Sequence, residues 1–194
     1  EPELIENLDA LPFPSRHLLR IKDYPLRTPE GEPVFTILTS RGCPFHCAYC
    51  FKGLFGHGYR QRSPENIIAE LRHLKETYAA RHFYFIDDVF MLQTDRVKRL
   101  CHLIMEQGLD IRWQCLARVD RVTPEILRAM YEAGCRQIHY GIEYGVQRIL
   151  DGISKGINLD QVRNAISWTQ SAGIRSKGYF MTGLPGDTPE TLEQ

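Results

Sequence analysis

No stretch of the sequence approaches the roughly 20 consecutive apolar residues that a bilayer-spanning helix needs, and no secretory signal stands at its start. A membrane partner is therefore not expected, and a cytoplasmic location is. Neither sign of charge is in excess: lysine plus arginine number 24, and so do aspartate plus glutamate. Nucleic-acid binders usually carry a basic surplus, so a small-molecule substrate is expected rather than a polyanion. An evenly spread disulfide framework is also lacking. Of six cysteines, Cys43, Cys47 and Cys50 crowd into eight residues, and Cys101, Cys115 and Cys135 stand apart. That usage fits a reducing compartment and a metal site. The first residue is Glu1 rather than Met, and Gln194 falls inside the start of a helix, so a segment of a longer protein is expected.

What is present is a regular alternation. The 194 residues, 43% of them hydrophobic and 25% charged, suffice for one domain with a real core. Residues 1–33 have weak periodicity and four prolines before Thr28, and they read as a linker or preamble with one helical turn at Arg16 to Ile21. From Val34 onward, apolar runs alternate with amphipathic stretches. Strands are expected at about Val34–Thr39, His82–Ile86, Ile111–Val119, Gln137–Ile142 and Arg175–Met181. The helices between them have clear starts: Ser63-Pro64-Glu65, Thr94, Thr123-Pro124-Glu125, Asn158 and Thr188-Pro189-Glu190. A short helix near Val146–Leu150 precedes the one opened by Asn158. Gly108, Gly134 and Gly173 serve as stops. This is the pattern of parallel β-α units. The fold class it predicts is α/β, a partial six-unit TIM-type (β/α) barrel occupying 34–194, with the sixth strand missing from the segment.

In such folds chemistry gathers at the C-terminal ends of the strands. The unusual residues fall there. Cys43, Cys47 and Cys50 follow strand one, Asp87 and Asp88 strand two, Arg118 strand three, Glu143 strand four, and Gly183-Leu184-Pro185-Gly186 strand five. Three thiolates on one loop suit a soft metal centre and leave one coordination position open. A zinc knuckle with His46 or His57 as fourth ligand remains an alternative, although its ligands usually come as two pairs and no second Cys-x-x-Cys exists. A ferredoxin-like cluster wants four cysteines. Cys101, Cys115 and Cys135 read as core residues, Trp113 and Trp168 as packing, and His57, His82 and His139 as structural or solvated.

The spacing CxxxCxxC, with Tyr49 before the last cysteine, resembles the cluster loop of the radical S-adenosylmethionine superfamily. Phe85-Ile86-Asp87-Asp88-Val89-Phe90 resembles its strand-two motif, with acids in place of the common Gly-Gly-Glu. Tyr140-Gly141-Ile142-Glu143-Tyr144-Gly145, followed by Leu150-Asp151 and Lys155-Gly156, resembles the strand-four region of the branch with elongator-type radical domains. The resemblance implies an enzyme whose Cys43, Cys47 and Cys50 hold three irons of a [4Fe–4S] cluster. The fourth iron takes the amino and carboxylate groups of S-adenosylmethionine, and one-electron reduction yields methionine and a 5′-deoxyadenosyl radical. It further implies Tyr49 against the adenine, Asp87 or Asp88 and Glu143 on the ammonium or ribose, and Arg118 on the carboxylate. An electron donor such as flavodoxin or ferredoxin is the implied partner.

The preamble Leu8-Asp9-Ala10-Leu11-Pro12-Phe13-Pro14-Ser15-Arg16 resembles the link between a cobalamin-binding domain and a radical domain. It implies the cobalamin-dependent branch, rich in methyltransferases, with cobalamin bound upstream of Glu1. A methylthiotransferase is the nearest alternative enzyme, and a non-catalytic iron–sulfur or zinc module the alternative of another class.

Overall fold

The computed structural model describes residues 4–24 and 26–193, with Lys22 described by its backbone alone. Two prolines of the preamble, Pro2 and Pro25, lie outside the described residues, as does Gln194. Five parallel strands form one sheet in sequence order: β1 (Val34–Ile37), β4 (His82–Phe85), β5 (Arg112–Ala117), β6 (Cys135–Glu143) and β7 (Arg175–Phe180). A two-stranded antiparallel ribbon, β2 (Ser40–Arg41) with β3 (Arg60–Gln61), closes the base of the cysteine loop. The helices are α1 (Pro64–Tyr78), α2 (Thr94–Glu106), α3 (Pro124–Glu132), α4 (Gln147–Gly152), α5 (Leu159–Ser171) and α6 (Pro189–Leu192). The expected α/β parallel architecture is present, and the barrel is open, with β1 and β7 at its edges.

Period-two burial explains the layering. In β4 and β5, Phe83, Phe85, Trp113, Cys115 and Ala117 are buried, while His82, Tyr84, Gln114 and Leu116 on the other face are less so. The buried face meets Ile67, Leu71 and Leu74 of α1 and Val97, Leu100 and Ile104 of α2 in one core. Each such aliphatic side chain stabilises the fold by about 1.5–3 kcal/mol on full burial. Phe85 stands edge-on to Trp113 at 5.3 Å, and the indole N–H of Trp113 donates to Ala133 O at 2.8 Å. Cys101, Cys115 and Cys135 are buried in this core, as expected, and burial pushes the Cys101 thiol up to about 12.

The helix starts follow the caps. Ser63 accepts from Asn66 N, Thr123 from Ile126 N, and Asn158 forms a capping box with Gln161. One start differs. Thr94 is the first helical residue of α2, and Gln93 holds the cap position without a side-chain bond. Burial of Val89, Phe90 and Met91 fixes the preceding turn and brings the helix in one residue early. Strand one is also shorter than expected, because Thr39 N–H turns from the ladder to the Asp87 carboxylate. Strand three ends at Ala117, and a 3₁₀ turn, Val119–Arg121, follows. In the preamble the single expected turn becomes three 3₁₀ turns, Leu8–Ala10, Arg16–Leu18 and Ile21–Asp23. Arg16 reaches Glu70 of α1 at 2.7 Å and Thr36 O of β1 at 2.8 Å, tying the preamble to the sheet.

Candidate functional site

The cysteine loop is shaped by its backbone before its side chains. Gly42 has φ +82°, and a Cβ there would stand 2.1 Å from Gly58 O, so only glycine fits the return crossing of the loop. Cys43 N bonds Gly56 O at 3.4 Å and Cys50 N bonds Cys47 O at 3.1 Å. Ala48 N reaches Ile153 O at 2.9 Å, docking the loop on the end of α4. All three cysteines are free; Cys43 is buried, Cys47 half-buried and Cys50 exposed. Among the described residues, no three His, Cys, Asp or Glu side chains are already gathered closely enough to hold a metal ion. The donor set fits a soft centre by kind and number: three thiols on one loop.

Cations stand beside these sulfurs. Burial pulls the Lys52 ammonium down, but hydrogen bonds and charge from Cys50 and Cys43 outweigh it and hold its pKa above the ordinary lysine value. Arg118 Nη1 lies 3.8 Å from Cys47 Sγ. His46 and His57 stack on each other at 4.7 Å.

The other expected residues divide into two groups. Glu143 joins the loop. Its Oε1 accepts from the Tyr49 phenol at 2.8 Å and from Lys155 Nζ at 2.7 Å, and Lys155 also donates to Tyr49 at 2.9 Å. Burial and the Glu143 carboxylate push the Tyr49 phenol far up, so it stays a donor. Glu143 has φ +70°, a strained conformation for a residue with a Cβ. It sits where the β6–β7 register shifts, a bulge that turns the end of the strand.

Asp87 and Arg118 are engaged within the protein. Asp87 is buried; it accepts from Thr39 N, from Thr39 Oγ1 and from Ser40 N at 3.0 Å, with Arg96 Nη2 at 3.8 Å. Burial pushes its carboxyl up, and those donors offset this only in part. Asp88 is exposed. Arg118, expected on the S-adenosylmethionine carboxylate, bonds Asp120 at 2.9 Å and Lys155 O at 3.0 Å and lies 3.7 Å over the Phe45 ring. It braces the loop around Cys47. After β7, Asp187 accepts from the Tyr144 phenol and from Gly183 N at 2.7 Å, holding the glycine turn against β6.

Sequence reasoning assigned no role to Lys52 or Lys155. Lys52 carried a signal in its position two residues after the last cysteine. Lys155 sat in a quoted motif, but its contact with Glu143 depends on how α4 folds back. His82 and His139 also have partners. His82 meets Glu32 at 2.6 Å, and His139 meets Tyr179 at 2.9 Å and Gln114 at 3.0 Å.

The family model described as the Radical SAM superfamily matches residues 37–194. An uncharacterized methyltransferase of Pyrococcus horikoshii is 37% identical over 191 residues, 98% of this chain and 41% of that protein. The cytidylyl-2-hydroxyethylphosphonate methyltransferase of Streptomyces wedmorensis is 32% identical over 198 residues, 96% of this chain and 37% of that protein. The chain thus spans about two fifths of the length of these relatives. In fold it is similar to the radical S-adenosylmethionine methyltransferase TsrM of Kitasatospora setae, solved with cobalamin and a [4Fe–4S] cluster. The TM-score is 0.74 at 22% identity over 82% of this chain and 33% of that one. The family model takes in the cysteine loop, the strand ends around it and all of the sheet but residues 34–36, and this chain belongs to the radical SAM superfamily.

Proposed function

We propose that the chain is the radical-generating core of an S-adenosylmethionine-dependent enzyme, with Cys43, Cys47 and Cys50 as ligands of a [4Fe–4S] cluster. The observation that carries this reading is the presence on one loop of three free thiols with Lys52 and Arg118 beside them. Three thiolates account for three irons and leave the fourth open to an exchangeable ligand. When bound, the cluster supplies the electron that opens the carbon–sulfur bond of S-adenosylmethionine.

The chain's own residues position and enclose. Glu143, held by Lys155 and Tyr49, accepts a hydrogen bond from the ammonium or a ribose hydroxyl. Tyr49, tied at its hydroxyl, presents a fixed ring to the adenine. Of the strand-two acids, Asp88 is the exposed one and would accept from the ligand's amino end, while Asp87 pins Thr39 and Ser40 beneath the loop.

The methyltransferase names of both relatives, together with the cobalamin named for TsrM, support a whole protein of the cobalamin-dependent branch. It carries out methyl transfer or a related radical transformation on a small molecule. In this reading residues 1–33 link the radical core to an upstream cobalamin-binding domain, and flavodoxin or ferredoxin delivers the electron. Anaerobic reconstitution tests the central element: about four irons per chain and a chromophore bleached by dithionite are expected. A site that takes up zinc and no iron would sink the proposal.

A further inference from the structure

The opposite end of the sheet from the cysteine loop holds a group of residues that the radical reading leaves unused. His82 begins β4, Arg112 begins β5, Arg136 is the second residue of β6 and Arg175 begins β7. Together with Arg27 they line one cavity of about 390 Å³. Register explains the convergence. Parallel pairing sets His82 beside Arg112 and Gln137 beside Arg175, and paired residues share a face of the sheet. Between them, the β5–β6 register passes from Trp113↔Cys135 to Gln114↔Gln137, leaving Arg136 as an inserted residue at the rim.

A protein with equal numbers of acids and bases has no general reason to gather four guanidinium groups in one concavity. Water screens part of their mutual repulsion, since Arg112 and Arg175 are exposed, and negative charge nearby relieves the rest. The protein supplies part of it. Glu32 pairs with His82 at 2.6 Å, and Asp110 meets Arg112 at 3.4 Å. Glu30 lines the cavity; its own backbone and Thr28 hold its carboxyl below the usual range, with His82 and Arg175 adding to the effect. Arg136 Nη1 is fixed by two carbonyls, Tyr131 O at 2.8 Å and Cys135 O at 2.7 Å, and its guanidinium lies 4.4 Å over the Tyr131 ring. Those contacts aim the fork without neutralising it. Among the described residues, no carboxylate comes within 4.0 Å of the Arg136 or Arg175 guanidinium. Val34, paired with His82, adds an apolar side chain on this face, while Phe83 and Trp113 turn theirs into the helix-side core.

We propose that this cavity binds an organic phosphate, its charged end held by Arg112, Arg136 and Arg175. Planar forks match phosphate oxygens in pairs, and the volume is that of a small-molecule site. The site is separate from the cysteine loop. β4 alone, from His82 to Phe85, puts about 10 Å between the two ends of the sheet, so an occupant acts by binding and does not meet the radical. The inference does not depend on the proposed function.

Isothermal titration of the protein with phenyl phosphate at low ionic strength tests it, with phenol as the neutral control. One saturable site is expected, weakened by added salt. Arg136→Gln and Arg175→Gln each weaken it about tenfold or more through a lost charge-assisted bond. Glu30→Gln strengthens it, and Lys98→Gln, on the exposed pair with Glu125 at 2.8 Å, leaves it unchanged. Thermal melts by circular dichroism establish that the variants are folded. Phenol binding as well as phenyl phosphate, or folded Arg136→Gln and Arg175→Gln binding phenyl phosphate like the parent, overturns the proposal. So does a poly-glutamate peptide binding where phenyl phosphate does not, since the cavity would then read an acidic chain segment.

Discussion

Tyr49 and Glu143, 94 residues apart, meet through a 2.8 Å hydrogen bond from the phenol to Glu143 Oε1. Lys155 bonds both partners, so three charged or polar groups from three separate segments share one point. Glu143 holds φ +70° there, a conformation that costs about 1–3 kcal/mol in a residue with a Cβ. Such a conformation persists where surrounding contacts hold it, and the bonds to Tyr49 and Lys155 do so here.

Glu143→Gln therefore tests a ligand contact. The variant is expected to reconstitute with a full complement of iron yet bind S-adenosylmethionine about tenfold more weakly, the worth of one charge-assisted hydrogen bond. Tyr49→Phe removes a bond between protein groups and is expected to cost less. Equilibrium binding to the reconstituted protein measures both, and unchanged affinity in Glu143→Gln would remove Glu143 from the site.

The two adjacent acids of strand two are expected to separate in a denaturant experiment. Asp87→Ala strands Thr39 N, Ser40 N and the buried Arg96, a loss of about 3–5 kcal/mol for breaking one side of a buried charged group. Asp88→Ala is exposed and stays within about 0.5 kcal/mol of the parent. Equal destabilisation by the two would contradict the division of roles.

How far the sequence anticipated this depends on the range of the interactions. The five strands, their parallel order and most helix caps follow from local pattern: period-two burial in Phe83-Tyr84-Phe85, and Ser63 and Thr123 before prolines. The gathering of Cys43, Asp87 and Glu143 at one end followed from topology. What escaped was set by contacts distant in sequence. Nothing near Asp87 says that its carboxylate turns back to Thr39, and nothing near Arg118 says that Phe45 lies beneath it at 3.7 Å. The Asp120 partner, two residues away, was visible.

Gly42→Ala tests the loop's backbone. At φ +82° a Cβ adds about 1–2 kcal/mol of strain, and Gly58 O at 2.1 Å forbids it outright unless the loop shifts. Iron uptake is expected to fall well below that of the parent while the rest of the domain keeps its far-ultraviolet circular dichroism. Full iron uptake would show that the crossing of the loop is not needed to present the thiols.

His139 gives a pH dependence of known sign. Burial, and Lys177 nearby, lower its pKa in the folded protein. The unfolded chain then binds the proton more readily, so stability falls as pH drops below the unfolded value near about 6.5, down to the lowered folded value. Above that window the contribution is constant. Denaturation midpoints between about pH 5 and 8 are expected to show this slope, and His139→Gln to flatten it. An identical slope in the variant would assign it to another group.

The central claim is that Cys43, Cys47 and Cys50 serve radical chemistry rather than bracing. The measurement that meets it most directly is chromatographic detection of 5′-deoxyadenosine after the anaerobically reconstituted protein is mixed with dithionite and S-adenosylmethionine. The account predicts that the parent forms 5′-deoxyadenosine and that Cys47→Ala, prepared in parallel, forms none. A parent that forms none while carrying its iron, or a Cys47→Ala variant that still forms it, would contradict the account.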